Sequence, residues 1–297
     1  MSVDWEQTFR NWSKPSSSTE STKAENAIRM VKDAVNSNDS LSKYNINVFV
    51  QGSYKNNTNV KQDSDVDICV CCEDLVDSDY GFAPNMNDNL AGLVPATYSY
   101  AAFKNDLQIA LKDYFGSASV TRGDKAFDVH ENSYRVDADV VPTIIQRLYF
   151  DDGSYRQGTQ IINDSGIVIN NWPQQHYDNG VNKNRNTEKR FKSIVRAMKN
   201  LRNRLEEKNY HSAKPIPSFL IECLVYLVPN NYFAGDFYKK NVENCIGHLW
   251  HAIKKLESCK NWTEINKIKF LFHSAQKWNK EEVRSFLLDA WNYIKSN

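Results

Sequence analysis

No run of apolar residues in this chain approaches the roughly 20 needed to cross a bilayer. Its opening, MSVDWEQTFRNW, lacks the basic-then-apolar layout of a secretory leader. The expectation is a chain that stays in a reducing cytoplasm, away from membranes. Neither sign of charge is in excess: 37 Lys and Arg against 36 Asp and Glu give a formal net charge of +1. That removes the simplest argument for a nucleic-acid partner. Cysteine is sparse, with six in 297 residues. Cys69, Cys71 and Cys72 crowd one predicted strand, where pairing with each other would be strained. Cys223, Cys245 and Cys259 are scattered over predicted helices, so neither a disulfide framework nor a zinc site has support. Internal repeats and low-complexity tails are also missing.

What is present is ordinary for a globular protein: 41% hydrophobic and 25% charged residues, in a length that suits one large domain or two lobes. Helical spacing predicts a short helix over 4–12 and, after the Ser-rich run Lys14 to Thr22, a longer one starting near Ser21 or Thr22. There Thr22-x-x-Glu25 reads as a capping box, and Ile28, Val31 and Val35 form a buried stripe. A strand follows over Ile46 to Gln51, then a polar loop from Tyr54 to Ser64 and a second strand from Asp65 to Cys72. Residues 77–97 read as an irregular insertion. A helix is expected over Ser99 to Phe115, with Phe103, Leu107, Leu111 and Tyr114 on one face and Gly116 ending it. Short strands are expected at 118–122, 125–130 and 133–141. Stretches 187–208, 217–228, 241–258 and 279–295 carry helical periodicity. A mixed α/β lobe over 1–182 thus precedes a helical lobe over 183–297, with a ligand cleft expected between them.

The chemistry concentrates in Gln51-Gly52-Ser53, eleven residues of loop, then Asp65-Val66-Asp67-Ile68. Alternate residues of a strand face the same way, so Val66, Ile68 and Val70 would enter the core and Asp65 and Asp67 would sit together on the other face. Two carboxylates about 7 Å apart repel one another unless a cation lies between them. That suits magnesium, a hard cation that takes oxygen ligands. Tyr134-Arg-Val-Asp-Ala-Asp-Val-Val-Pro142 supplies further acids. If this strand lies beside the first, Asp137 or Asp139 completes a two-metal site. Gly52 lets the backbone approach a phosphate, and the Ser53 hydroxyl with exposed N–H groups can hold its oxygens.

Together, Gly52-Ser53, Asp65-Val66-Asp67 and Asp139-Val140-Val141-Pro142 resemble the polymerase-beta-type nucleotidyltransferase superfamily. Within it they resemble the group of oligoadenylate synthase, cyclic GMP-AMP synthase and the bacterial cyclic-oligonucleotide synthases. Asn171-Trp-Pro-Gln-Gln-His176 through Lys199, and Ile216-Pro-Ser-Phe-Leu-Ile-Glu-Cys-Leu-Val225, are similar to the bacterial branch that often incorporates uridine. The likeness covers roughly residues 20–230. The resemblance implies an α/β sheet lobe closed by a helical bundle. It selects Asp139 over Asp137 as the third acid, beside Asp65 and Asp67, for two Mg2+ ions that Mn2+ can replace. It places Gln51, Gly52, Ser53 and Ser218 against the nucleotide and gives Lys199, in the basic helix Arg190 to Arg204, the triphosphate. Base-reading candidates are Asn171 foremost, then Asn170, Gln174 and His176. Tyr177, Phe219 and Tyr232 are candidates for stacking.

The implied activity is synthesis of a cyclic dinucleotide from nucleoside triphosphates, ATP and UTP among them, by a monomer. The product would activate an antiphage effector. No His and Cys zinc insertion is present, so no obligatory nucleic-acid activator is expected. Two alternatives share these acids: a same-fold enzyme that modifies a protein, tRNA or small molecule, and a nucleotide-binding protein without catalysis.

Overall fold

The structure is a computed structural model that describes residues 3–60, 65–254 and 259–297. In chain order the helices are α1 (Trp5–Trp12), α2 (Ser18–Asn36), α3 (Gly52–Asn56), α4 (Tyr100–Phe115), α5 (Pro173–Asn186), α6 (Arg190–Glu207), α7 (Ser218–Leu227), α8 (Tyr238–Lys254) and α9 (Lys280–Ser296). The strands are β1 (Ile46–Val50), β2 (Val66–Phe82), β3 (Val120–Arg122), β4 (Phe127–Val129), β5 (Ala138–Phe150), β6 (Tyr155–Ile162) and β7 (Val168–Asn171). They divide between two compact units. One comprises residues 17–54 and 64–173, the other residues 1–16, 55–63 and 174–297.

The first unit is built on a seven-stranded sheet of order β1-β2-β5-β4-β3, with β6 joining the later part of β5 and β7 joining β6. β2 and β5 run parallel, from Val66 beside Ala138 to Phe82 beside Phe150. One face carries Val66, Ile68, Val70, Phe127, Val129, Ala138 and Val140. All are buried in one core with Ala27, Val31 and Val35 of α2 and Phe103, Leu107 and Leu111 of α4. Ser99 caps α4, its hydroxyl accepting from the Ala102 N–H at 3.1 Å, and Gly116 at φ +85° ends the helix. Burying side chains of this size is worth about 1.5–3 kcal/mol each. A one-residue slip of β2 would drive Asp67 into that core, so the apolar face fixes where the acids point.

Several elements differ from expectation. α2 begins at Ser18, capped by the Ser17 hydroxyl on the Glu20 N–H at 3.3 Å, and not at a Thr22 capping box. Its stripe is made as much by Ala24, Ala27 and Ala34 as by Val31 and Val35, while Ile28 is half-buried. Tyr114 stays 40% exposed. β2 continues past Cys72 to Phe82, through polar residues read as an insertion, because a register shift between Cys72 and Val76 restores pairing with β5. β5 starts at Ala138, later than expected, and runs through Pro142 to Phe150. The later part of the expected Tyr54–Ser64 loop, residues 61–64, lies outside the described residues, and its first residues complete α3.

The second unit is helical. Its core gathers Phe191, Ile194, Met198 and Leu201 of α6, Leu220 and Leu224 of α7, Ile246 and Leu249 of α8, and Phe286 and Leu287 of α9. α1 belongs here and not with the sheet. Trp5 and Phe9 are buried in this core, and Trp5 meets Tyr293 edge-on at 5.6 Å. α5, which helical periodicity did not single out, opens the C-terminal part of the unit. The sequence boundary at 182/183 therefore shifts to 173/174, and residues 1–16 and 55–63 join the helices.

Candidate active site

The acids of the sheet unit fall into one row. Asp67 of β2 lies beside Asp139 of β5 in the parallel register. Asp139 lies opposite Asp128 of β4. Each occupies the face turned away from α2 and α4, because its apolar neighbours, Val66 and Ile68, Ala138 and Val140, Phe127 and Val129, are buried on the helix side. Adjacent strands are about 4.8 Å apart, so three carboxylates cross three strands in register. Asp65, exposed, precedes β2 by one residue and sits two before Asp67.

Crowding shows in the protonation of Asp139. Burial, a hydrogen bond with Asp128, and the negative charges of Asp67, Asp128 and Asp65 raise its carboxyl from 3.8 to about 7. Asp137 is elsewhere occupied, accepting from the Glu131 N–H at 2.7 Å. The structure thus separates the two aspartates of the Asp-Ala-Asp stretch. Asp128 was missed by sequence reasoning. The available signal was its setting, Phe127-Asp-Val129, an acid between two core residues as in Val66-Asp-Ile68.

Gly52 closes the row on one side. Its φ is +65°, and a Cβ there would stand 2.0 Å from Asp67 Oδ2. The Gln51 N–H also donates to the Asp67 carbonyl at 3.0 Å. Glycine is therefore required twice, for its left-handed backbone and for the space the Asp67 carboxylate takes. Among the described residues, no three His, Cys, Asp or Glu side chains form a ready-made metal cage. What suits a hard divalent cation is the donor chemistry: carboxylate oxygens in one row whose mutual repulsion a cation would relieve.

Other predicted residues sit as follows. Gln51 and Ser53 flank Gly52, both half-buried, with Ser53 in the first turn of α3. In the helical unit Lys199 is 1% exposed and lies 3.5 Å from Glu222 Oε2. Ser218 starts α7 and its hydroxyl accepts from Arg202 Nη2 at 2.8 Å. Asn171 pairs with Thr159 of β6, which pairs with Ile145 of β5. Ile145 packs with Cys69 and Cys71 on the acid-bearing face, so Asn171 shares that face, six residues further along β5 than Asp139. Asn170 is turned to the other side, where its Oδ1 accepts from Gln160 Nε2 at 3.0 Å. His176 is buried, with Nε2 3.2 Å from Glu222 Oε1. Gln174 donates to Asp178 at 2.9 Å on the surface. Tyr177 lies under the ammonium groups of Lys55 and Lys192, at 4.7 and 5.6 Å. Phe219 meets His176 and Trp278, and Tyr232 meets His248.

Two family models match this chain. One, the nucleotidyltransferase domain, covers residues 28–115. The other, the cGAS/DncV-like nucleotidyltransferase C-terminal helical domain, covers 178–295. A cyclic dipyrimidine nucleotide synthase CdnE of Legionella pneumophila is 63% identical over 299 residues, with 100% of each chain covered. The chain belongs to the cGAS/DncV-like nucleotidyltransferase family. A cyclic dipyrimidine nucleotide synthase CdnE of Cecembia lonarensis is 40% identical, with 98% of each chain covered. Among solved structures, the Rhodothermus marinus CdnE c-UMP-AMP synthase with Apcpp and Upnpp is 29% identical at a TM-score of 0.85. It covers 98% of this chain and 96% of its own. As a member of this family the chain is an enzyme, a nucleotidyltransferase whose sheet and helical units match the family fold, and whose relatives are cyclic dinucleotide synthases. The Rhodothermus marinus structure holds two triphosphate analogues, which fits nucleotide substrates. Among the described residues no helix is long and apolar enough to cross a membrane.

Proposed function

We propose that this enzyme makes a pyrimidine-containing cyclic dinucleotide from two nucleoside triphosphates, ATP and UTP among them, releasing two pyrophosphates. The observation that carries the reading is the row of Asp67 and Asp139 in register, with Gly52 packed against the Asp67 carboxylate. The dipyrimidine products named for relatives at 63% and 40% identity support the base choice.

Asp65, Asp67 and Asp139 would hold two Mg2+ ions, with Mn2+ able to replace them. Bound there, the ions supply Lewis-acid activation of the attacking ribose hydroxyl and neutralise charge at the α-phosphate. Asp139 must be ionised for this role, and its raised pKa means that ligand binding drives out a proton. Gln51, Gly52 and Ser53 receive the phosphates. The Ser53 hydroxyl and the backbone beside a side-chain-free Gly52 hold their oxygens. Each transfer forms one bond from a ribose oxygen to the α-phosphorus and breaks the bond to pyrophosphate; the second transfer closes the ring. Lys199, held beside Glu222, serves the triphosphate, and the Ser218 hydroxyl adds a second contact. Asn171 reads the base, giving and taking one hydrogen bond at the uracil edge. The product would then activate a downstream antiphage effector.

The purified chain, incubated with all four triphosphates and Mg2+ and no nucleic acid, tests this. A phosphatase-resistant product whose mass is that of a cyclic dinucleotide containing a pyrimidine supports the reading. A linear, phosphatase-sensitive product, or nucleotide attached to an added acceptor, overturns it. Asn171→Ser in the same competition should move incorporation towards purines by about tenfold or more, since a paired base contact is worth about 1–3 kcal/mol. An unchanged spectrum removes Asn171 from base reading.

A further inference from the structure

The chain leaves the sheet unit after Tyr54, directly beyond the Gly52-Ser53 turn. Just beyond it, in the helical unit, Asn56, Thr58, Asn59 and Val60 are buried, at 8%, 0%, 3% and 5% exposed. A polar segment of this kind goes inside only when its hydrogen bonds are met. Thr58 Oγ1 donates to Glu222 Oε2 at 2.7 Å. Arg196, itself 5% exposed, donates from Nη1 to the Asn57 carbonyl at 2.5 Å and from Nε to the Ser13 carbonyl at 2.7 Å. Asn57 takes a left-handed φ of +53° beneath that contact, and Asn59 donates to the Ser16 hydroxyl.

Glu222 is the hub. Its two oxygens serve Thr58, His176 and Lys199, from three separate parts of the helical unit, and the residue is 4% exposed. Burial by itself would raise its pKa. Lys199, His176 and Thr58 outweigh burial and hold it at about 2, so the carboxylate is ionised at neutral pH. A charged carboxylate at this depth is a costly device if its only purpose is packing.

We propose that Glu222 is a positioning residue for triphosphate binding. By gripping Thr58 it anchors the chain just after the phosphate-holding turn, and by gripping Lys199 it keeps that ammonium at a set place. The geometry assigns Thr58 the second half of the device. This rests on the reading of Gly52-Ser53 as the phosphate turn. It assigns no contact with substrate to Glu222 or Thr58.

The test uses the full chain and a non-hydrolysable triphosphate with Mg2+, measured by calorimetry, beside thermal melts and pyrophosphate release. Thr58→Val removes the hydroxyl and keeps the shape; Thr58→Ser keeps the hydroxyl. Loss of a hydrogen bond to a charged group at a binding element predicts about tenfold weaker triphosphate binding in Thr58→Val, with Thr58→Ser within about twofold of wild type. KM for triphosphate rises in parallel while kcat at saturation changes much less. Glu222→Gln, which keeps shape and loses the charge, weakens binding by a similar factor. It also carries the test should Thr58→Val not fold. Wild-type affinity in Thr58→Val, or in a folded Glu222→Gln, with only a lowered melting temperature, reduces the hub to packing and overturns the proposal. Equal losses in Thr58→Val and Thr58→Ser overturn it as well. A wild-type chain that binds triphosphate yet releases no pyrophosphate overturns the proposed function instead, and the affinity series still decides the role of Glu222.

Discussion

Two groups of carboxylates in this molecule meet opposite fates. In the helical unit Glu222 is surrounded by Thr58, His176 and Lys199, and its pKa is pulled down to about 2. In the sheet unit Asp139 faces Asp67, Asp128 and Asp65, and its pKa is pushed up to about 7. The first group is electrostatically satisfied by the protein's own side chains. The second carries a conflict that folding alone would avoid. Buried anions that serve structure are matched, whereas anions meant for a cation are left in mutual repulsion for that cation to relieve. On the proposed reading, the difference separates a positioning hub from a reaction centre within one chain.

The comparison breaks most sharply at the acids. Asp65→Asn, Asp67→Asn and Asp139→Asn should each lower Mg2+-dependent pyrophosphate release by about a thousandfold or more while the fold survives. Asp137→Asn, whose carboxylate caps the Glu131 N–H, should cost far less. Retained activity in Asp67→Asn would show that the row is not the reaction centre.

Glu222→Ala should do the reverse, striking stability first. Removing one member of a buried pair strands Lys199 and costs about 3–5 kcal/mol, a melting shift of roughly 10 °C at this size. A melt within about 1–2 °C of wild type would mean that the hub adds little to stability. Lys199→Ala should combine a smaller loss of stability with about tenfold weaker triphosphate binding, and the difference from wild type should shrink as salt rises. Salt-independent affinity in that variant would return Lys199 to a purely structural role.

The acid row was legible because it obeys period two. Val66, Ile68 and Val70 declare the buried face, so Asp65 and Asp67 must occupy the other, and the Val-Val-Pro after Asp139 marks the partner strand. Asp128 escaped because β4 has three residues. One acid in so short a strand gains meaning only when its cross-strand partner is known. Glu222 escaped for a related reason. In Ser218-Phe-Leu-Ile-Glu-Cys-Leu it looks like one polar residue in a buried helix, and its partners come from positions 58, 176 and 199. The unit boundary was illegible too, since α1 finds its core against residues about 180 to 290 positions away. Sequence periodicity reports which face is buried, not what buries it.

A finer prediction concerns pH. Because the Asp139 carboxyl is raised from 3.8 to about 7, the folded chain holds that proton more tightly than the unfolded chain between those values. Its contribution to stability is therefore present below about pH 4 and lost as the pH rises through 7. Glu222 has the opposite sign: its contribution is present above pH 4.5 and lost as the pH falls towards 2. With divalent cations chelated, Asp139→Asn should melt about 2 °C above wild type at pH 8, after allowance for solvent screening, and level with it at pH 4. The same offset at both pH values would place the effect in packing.

The most direct test of the contrast measures Asp139→Asn against Asp137→Asn, with pyrophosphate release in Mg2+ and melting at pH 8 in chelator taken on the same preparations. The account predicts that Asp139→Asn loses release yet melts higher than wild type, while Asp137→Asn keeps most of its release and gains no stability. Release at the wild-type rate in Asp139→Asn, or a melt lowered by that substitution, would contradict it.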